Sequence, residues 1–303
     1  MNLKNWVKIV ILGFVVVFVS ILMRILKFFE STDIKKAGIH PRLHLYGTFN
    51  LWRKYCQVGW REAKELKSFE ILAIVCRHVR IIDDFVDDQL RPNGIFVKNK
   101  NLKEASRPLI TLLKDKIENL PVSIQIKVKI VKAFQDYRRK VSDALVLEGK
   151  YGHDVDLETV LEQRQQVTGT VYSTLIKLLN LIHEVEAAKA KKIENIFALW
   201  GLSLQLSDDI LDYSDDENSI QNAVVSIVKE YPFEMSIWRV KKRVTAIWAK
   251  RNTPLIFQKI NLTLEKYLDE MLKIDHYHPI VKIMAIISRG IFRATLSYFP
   301  KLQ

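Results

Sequence analysis

Aspartates recur at helical spacing in the segment 204–216. Asp208, Asp212 and Asp216 are spaced four residues apart, so on an α-helix they would lie along one stripe of its surface. Like charges at this spacing repel one another, and the apolar residues between them make the repulsion more costly unless cations lie between the carboxylates. The spacing therefore predicts a cation-binding face on a helix.

A second acidic cluster occurs earlier in the chain. Asp83, Asp84 and Asp87 follow the apolar run 71–76, so the same argument applies to them. Mg²⁺ prefers oxygen ligands and is commonly shared with the phosphates of a substrate. Such ions neutralise charge on a leaving diphosphate, so that a carbon–oxygen bond ionises without a protein nucleophile. The two clusters predict a shared Mg²⁺ site for a diphosphate, with Mn²⁺ as an alternative ion.

The composition restricts the class of protein. The chain has 303 residues, 49% of them hydrophobic, which is enough to bury a large core. Its net charge of +13 suits an anionic substrate, a membrane surface or nucleic acid. The lysines are scattered and form no patch interleaved with aromatic residues, which argues against nucleic acid. Cys56 and Cys76 are too few for a disulfide framework and stand in no metal-ligand spacing.

The hydrophobic pattern from about residue 45 onward predicts an all-α chain. Long segments have helical periodicity, few internal glycines or prolines and no alternating strand pattern. No internal repeat or linker divides them, so we expect a single helical-bundle domain over residues 31–303. The predicted helices are 48–66, 69–88, 102–117, 122–148, 157–183, 186–216, 219–230, 233–251, 254–273 and 279–297.

The first thirty residues predict a location. Fifteen uncharged residues, 9–23, lie between Lys8 and Arg24, a length that spans a bilayer marginally if flanking basic side chains snorkel. No small-residue cleavage site follows, which favours an uncleaved anchor over a signal peptide. Basic residues are more numerous after the segment than before it, which favours a cytoplasmic catalytic domain. We therefore expect residues 1–30 to form a single-pass membrane anchor, with an interfacial helix as the alternative.

The two acidic clusters carry a family resemblance. Asp83-Asp-Phe-Val-Asp87 is similar to the first DDxxD motif of the class I isoprenoid synthases, and Asp208-Asp-Ile-Leu-Asp212 to the second. Asp208, Asp212 and Asp216 also occupy the ligand positions of the metal triad of terpene cyclases. The resemblance implies the isoprenoid synthase bundle, two metal ions on one wall and a third opposite, an isoprenoid diphosphate as substrate and a homodimer as one assembly.

Within this superfamily the sequence signals conflict. Val167-Thr-Gly-Thr-Val171 resembles squalene and phytoene synthases. However, Gln163-Arg-Gln-Gln166 stands where that branch has tyrosine, and Leu211 where it has an arginine. Chain-elongating prenyltransferases have a basic pocket near the start of the domain, and residues 42–48 do not supply it.

Arg164 resembles the arginine with which terpene cyclases sense diphosphate. It lies 44 residues before Asp208, and a guanidinium can bind a diphosphate in a bidentate manner. The resemblance assigns catalytic roles to Asp83, Asp84 and Arg164. It implies that further side chains contact the diphosphate, namely Arg80, Arg293 and Tyr298.

The resemblance leads to one main hypothesis and two alternatives. The main hypothesis is a membrane-anchored, Mg²⁺-dependent terpene synthase that ionises farnesyl or geranylgeranyl diphosphate. The alternative within the superfamily is a prenyltransferase or a squalene/phytoene synthase-like condensing enzyme, and the alternative outside it is a non-catalytic, membrane-tethered binding protein. Two other patterns, Asn222-x3-Ser226-x3-Glu230 and Asp275-His-Tyr-His278, are interpreted as a coincidence and a turn.

Overall fold

The computed structural model describes residues 43–90, 102–151, 155–216, 222–240 and 246–298. Every regular element in these ranges is helical, which confirms the predicted all-α class. The α-helices are α1 Leu43–Cys56, α2 Trp60–Glu65, α3 Ser68–Leu90, α4 Leu102–Glu118, α5 Ile124–Tyr151, α6 Leu157–Arg164, α7 Thr170–Ile182, α8 Ala187–Asp216, α9 Ala223–Lys229, α10 Pro232–Val240, α11 Ala246–Asn252, α12 Pro254–Asp275 and α13 Pro279–Tyr298. A π-helical turn, Gln165–Gly169, joins α6 to α7.

Helix α8 lies at the centre of the bundle and packs against α7, α9, α12 and α13. Its buried residues Ile193, Ile196, Phe197 and Trp200 follow the spacing of one helical face. Full burial of each such side chain stabilises the fold by about 1.5–3 kcal/mol. The N-terminal half of α8 is therefore held firmly, and it carries the second acidic cluster at its C-terminal end.

Helix α3 positions the first acidic cluster in the same way. Its residues 71–75 are all buried, so this segment is surrounded by the core. The helix continues without a break through Asp83 and Asp87 to Leu90. Because the buried half fixes the helix axis, the acidic half is placed at the end of the bundle.

Hydrogen bonds attach the start of α3 to the end of α7. The hydroxyl of Ser68 lies 2.7 Å from Nε2 of His183, and Nδ1 of His183 lies 2.8 Å from a carboxylate oxygen of Glu62. Trp52 donates from Nε1 to Asn180 at 2.9 Å. Ser68 is completely buried, so its hydrogen bond links α3 to the end of α7 inside the core.

The first predicted helix is broken in the structure. Helix α1 ends at Cys56 and α2 begins at Trp60, because the backbone turns at Gln57, whose φ is 62°. The amide of Val58 then donates to the carbonyl of Arg53, as in a Schellman-type helix end. The predicted helix 233–251 also corresponds to two helices, α10 and α11, and residues 241–245 between them lie outside the described ranges.

The predicted membrane localisation is corrected by the structure. None of the helices in the described ranges has both the length and the apolar character needed to cross a bilayer. The predicted membrane localisation is therefore wrong for the part of the chain that the structure describes. The predicted anchor itself, residues 1–30, lies outside the described residues.

His78 makes the stability of the bundle depend on pH. Its ring is buried against Phe134, at a centroid distance of 5.2 Å, and Tyr137. Burial, followed by the charge of Arg138, lowers the pKa of His78 from 6.5 to about 4. Between these values the unfolded chain binds a proton that the folded chain does not, so the free energy of unfolding decreases as the pH falls. The loss reaches up to about 3 kcal/mol.

Urea unfolding at a series of pH values tests this dependence. We expect His78→Leu to flatten the decline between pH 6.5 and about 4, because the variant has no imidazole to protonate. The control is His276→Leu, since His276 is exposed. Equal declines in the wild type and in His78→Leu would contradict the assignment to His78.

Candidate metal and diphosphate site

The two acidic clusters lie in the C-terminal turns of two long helices. Asp83, Asp84 and Asp87 are in α3, and Asp208, Asp212 and Asp216 are in α8. The predicted four-residue stripe is therefore helical along its whole length, so its three positions share one face. The side chains of Asp83, Asp84, Asp87, Asp212 and Asp216 lie outside the described set, and the carboxylate of Asp208 is exposed.

Helix α7 lies against both of the helices that carry the clusters. Its residue Tyr172 contacts α8 at Gly201, and burial, then Cys76 of α3 and Asp208 of α8, raises the pKa of its phenol. Cys76 precedes Asp83 by seven residues, and Gly201 precedes Asp208 by seven. Gly201, the residue of α8 that Tyr172 contacts, thus lies about 10 Å, or two helical turns, along the helix axis from Asp208.

Aromatic residues pack around Tyr172. The Tyr172 ring packs against Trp200 with a centroid distance of 6.1 Å, and Trp200 packs against Phe197 at 5.8 Å, both in an edge-to-face arrangement. A β-carbon on Gly201 would lie 2.3 Å from Cδ2 of Tyr172, so only glycine permits this approach. Trp200 and Phe197 are almost completely buried, so the three rings form an aromatic cluster within the core.

Arg164 ends α6 at the π-helical turn and contacts the second cluster. Its Nη2 donates to Oδ1 of Asp209 at 3.2 Å. One helical turn further along, the hydroxyl of Thr168 donates to Oε1 of Gln205, also at 3.2 Å. Two residues four apart on one segment therefore pair with two residues four apart on α8. π-Helical turns are frequent at functional sites, and this one is fixed to the helix that carries the metal motif.

Asp209 differs from Asp208 in its environment. It is only 2% exposed, and its Oδ1 also accepts from Nε2 of Gln205 at 3.0 Å. Its Oδ2 accepts from the backbone amide of Ala223 at 3.0 Å. The phenol of Tyr267 on α12 lies nearby: burial, then the charge of Asp209, raises its pKa to about 12, although Arg164 opposes this shift. Asp208 is therefore exposed to solvent, whereas Asp209 is buried in the bundle.

From the sequence, no functional role was assigned to Asp209, Gln205 or Asn222. Asn222 caps α9 by accepting the amides of Val224 and Val225, and its Nδ2 donates to the carbonyl of Asp209 at 2.8 Å. A signal was present, because asparagine before an apolar helical segment favours an N-cap. The contact with α8 depends on tertiary structure and has no local pattern.

The structure places the remaining predicted diphosphate ligands as follows. Arg80 lies on α3, three residues before Asp83, and its side chain is exposed. Arg293 is exposed on α13, and the side chain of Tyr298 lies outside the described set. Arg289, one turn before Arg293, is bound to Glu265 by both carboxylate oxygens at 2.6–3.1 Å. Arg164, in contrast, has a described contact with the second acidic motif, through Asp209.

The two patterns interpreted as non-functional have structural roles. Asn222 caps a helix, Ser226 donates to the carbonyl of Val155, and Glu230 pairs with Lys259. The three therefore do not converge as a metal triad would. In the second pattern, Asp275 accepts from Tyr55 and pairs with Lys192, and the ring of His278 stacks on Tyr55 at 3.9 Å. These contacts fix the turn between α12 and α13.

The donor set suits a hard divalent cation. The residues on the stripe are carboxylates, which Mg²⁺ prefers, and Asp208 is exposed to solvent, so a metal ion can reach it. Asp209 is much less accessible to a metal ion, because it is only 2% exposed and its oxygens already accept three N–H donors. Among the side chains that the structure describes, no three acidic, histidine or cysteine groups lie together, and five of the six proposed ligands fall outside that set.

Comparison with known proteins gives matches at the level of structure. No family model matches the sequence, and no curated protein does. A geranylgeranyl pyrophosphate synthetase from the archaeon Geoglobus acetivorans is 14% identical with a TM-score of 0.57, over 90% of this chain and 97% of that chain. One from Pyrococcus horikoshii Ot3 is 12% identical with a TM-score of 0.57, over the same shares.

A third solved structure extends the comparison. A geranyltransferase from Helicobacter pylori 26695 is 12% identical with a TM-score of 0.56, over 88% of this chain and 89% of that chain. Similarity at this level of identity concerns the fold, and it covers nearly the whole chain. The fold expected from the resemblance is thereby confirmed: this chain shares the all-helical fold of these geranylgeranyl pyrophosphate synthetases and of the geranyltransferase.

Proposed function

We propose that the protein is a Mg²⁺-dependent prenyltransferase that uses isoprenoid diphosphates. The observation that carries the proposal is the placement of two aspartate motifs on the last turns of α3 and α8, with α7 packed against both. The solved structures that share this fold are named for geranylgeranyl diphosphate synthesis and geranyl transfer. They favour this alternative over the terpene synthase that the sequence predicted.

The proposed reaction begins with ionisation of an allylic diphosphate. Mg²⁺ ions held by the aspartates of α3 and α8 would neutralise the diphosphate as the carbon–oxygen bond breaks and the electron pair leaves with oxygen. Arg164, with Arg80, would bind the departing diphosphate. The double bond of a second isoprenoid would then attack the cation, and loss of a proton would complete the transfer.

The aromatic cluster formed by Tyr172, Trp200 and Phe197 would lie beside the apolar part of the site. It lies toward the core from the acidic ends of α3 and α8, which is where the hydrocarbon chain of a bound diphosphate would extend. Its π faces would stabilise the cation, and exclusion of water would protect it from hydrolysis.

A terpene synthase is the second candidate, and the position of Arg164 favours it. The arginine lies at the π-helical turn and contacts the residue next to Asp208, which corresponds to the place of the diphosphate-sensing arginine in terpene cyclases. Both candidates share the ionisation step. They differ in whether a second isoprenoid captures the cation.

Product analysis separates the two candidates. The full-length protein is incubated with geranyl, farnesyl or geranylgeranyl diphosphate, with and without Mg²⁺ and isopentenyl diphosphate, and products are identified by mass spectrometry. We expect a longer prenyl diphosphate, or a product with two joined chains, only when Mg²⁺ is present. A hydrocarbon or alcohol formed from one diphosphate, regardless of isopentenyl diphosphate, would contradict the prenyltransferase and establish the terpene synthase.

A further inference from the structure

We infer that Asp209 positions Arg164 for diphosphate and is not a metal ligand. Oδ1 of Asp209 accepts from Nη2 of Arg164, and its Oδ2 accepts from the amide of Ala223. The arginine side chain is 16% exposed and the aspartate side chain 3% exposed. The pair is thus largely withdrawn from water, where a charge-assisted hydrogen bond is stronger and more directional than at the surface.

The orientation of the Asp209 carboxylate is determined by groups outside the diphosphate site. Gln205, one turn earlier on α8, donates to the same oxygen as Arg164, and Gln205 is itself held by Thr168 of the π-helical turn. On the other side of the carboxylate, the backbone amide of Ala223 donates to Oδ2 at 3.0 Å. A carboxylate held from both sides can fix the guanidinium in one place before the substrate arrives.

The neighbouring aspartates of α8 have a different role. Residues of the stripe recur every four positions and so share a face, whereas Asp209 is rotated about 100° from Asp208 on the helix. The face that carries Asp208 would bind metal ions, and the buried Asp209 binds Arg164. Within one acidic motif, Asp208 would thus bind metal ions, whereas Asp209 would position the guanidinium of Arg164.

The inference rests on the proposed function in assigning diphosphate to Arg164, and its test does not need turnover. Calorimetry measures the binding of inorganic diphosphate with Mg²⁺ to the full-length protein and to three variants: Asp209→Asn, Arg164→Ala and the double variant. We expect Asp209→Asn to raise the Kd about tenfold, because the arginine loses its fixed orientation. In the Arg164→Ala background the same change should raise the Kd less than twofold.

A matched control separates positioning from helix capping. Glu234 is also a buried carboxylate, and it accepts the amides of Leu255 and Ile256 at the start of α12. Glu234→Gln should lower the melting temperature and leave the Kd for diphosphate unchanged. An equal loss of affinity in Glu234→Gln and Asp209→Asn would overturn the inference.

Two further outcomes would also overturn it. Asp209→Asn could weaken Mg²⁺–diphosphate binding equally with and without Arg164, which would make Asp209 a metal ligand, or it could leave the Kd unchanged. If Asp209→Asn does not fold, Gln205→Met removes a donor to Asp209 while retaining Arg164, and we expect the Kd to rise about threefold. An unchanged Kd in Gln205→Met would then contradict the positioning role. If binding follows the inference but no isoprenoid diphosphate is turned over, only the proposed function fails.

Discussion

Replacing Asp83 and Asp84 together with asparagine is expected to reduce turnover of an allylic diphosphate by about a thousandfold or more. Loss of one preorganised electrostatic group in an active site typically costs a hundredfold to a thousandfold, and here two carboxylates that would hold metal ions become neutral. The backbone of α3 runs through both positions as a helix. Asparagine is close in size to aspartate, so the bundle should remain folded.

The control for this variant is Asp136→Asn. Asp136 lies on α5 with a side chain that is 42% exposed, near Arg139 at the surface, where an ion pair contributes little. Steady-state release of diphosphate at several Mg²⁺ concentrations provides the measurement. A double variant that retains more than about a tenth of wild-type turnover, with unchanged Mg²⁺ dependence, would show that these aspartates are not the metal ligands.

Gly201→Ala is expected to destabilise the protein by about 1–3 kcal/mol through overpacking. The added methyl group would lie 2.3 Å from one ring carbon of Tyr172 and 2.5 Å from another. The Tyr172 ring also packs against Trp200, so displacement of the Tyr172 ring disturbs the aromatic cluster. Chemical denaturation measures the loss, and Tyr172→Ala in the same chain should recover part of it by removing the ring.

Gly290→Ala is the matched control, and its effect should have the opposite sign. Gly290 is also within a helix, but a β-carbon there would meet no atom within 4 Å. Alanine is favoured over glycine in a helix by about 0.5–1 kcal/mol, so this variant should be slightly more stable than the wild type. Equal stabilities for Gly201→Ala and the wild type would mean that the Tyr172 ring moves aside without cost.

Much of the helical architecture could be predicted because it depends on local periodicity. Helices α3 and α8 have long apolar segments followed by acidic turns, and both were predicted within two residues of their observed ends. The break at Gln57 was not predicted because helix ends with positive φ usually have glycine, whereas in the described part of the chain non-glycine residues occupy three positions with positive φ. These residues are Gln57, Lys67 and Glu184.

The different environments of Asp208 and Asp209 could not be predicted from the spacing of the acidic residues. Asp208 and Asp209 are adjacent and chemically identical, and the packing of the π-helical turn and α9 against α8 decides which of them is buried. Arg164 was identified from its distance to the motif, but its contact with Asp209 crosses 45 residues of sequence. Contacts of this kind arise from tertiary structure and leave no periodic pattern.

The central claim is that this bundle ionises an allylic diphosphate with the help of Mg²⁺. The most direct test is the release of inorganic diphosphate from farnesyl or geranylgeranyl diphosphate by the full-length protein, with Mg²⁺ or with a chelator. We expect diphosphate release that stops when the chelator is present and returns when excess Mg²⁺ is added. No release from any allylic diphosphate in the presence of Mg²⁺ would contradict it.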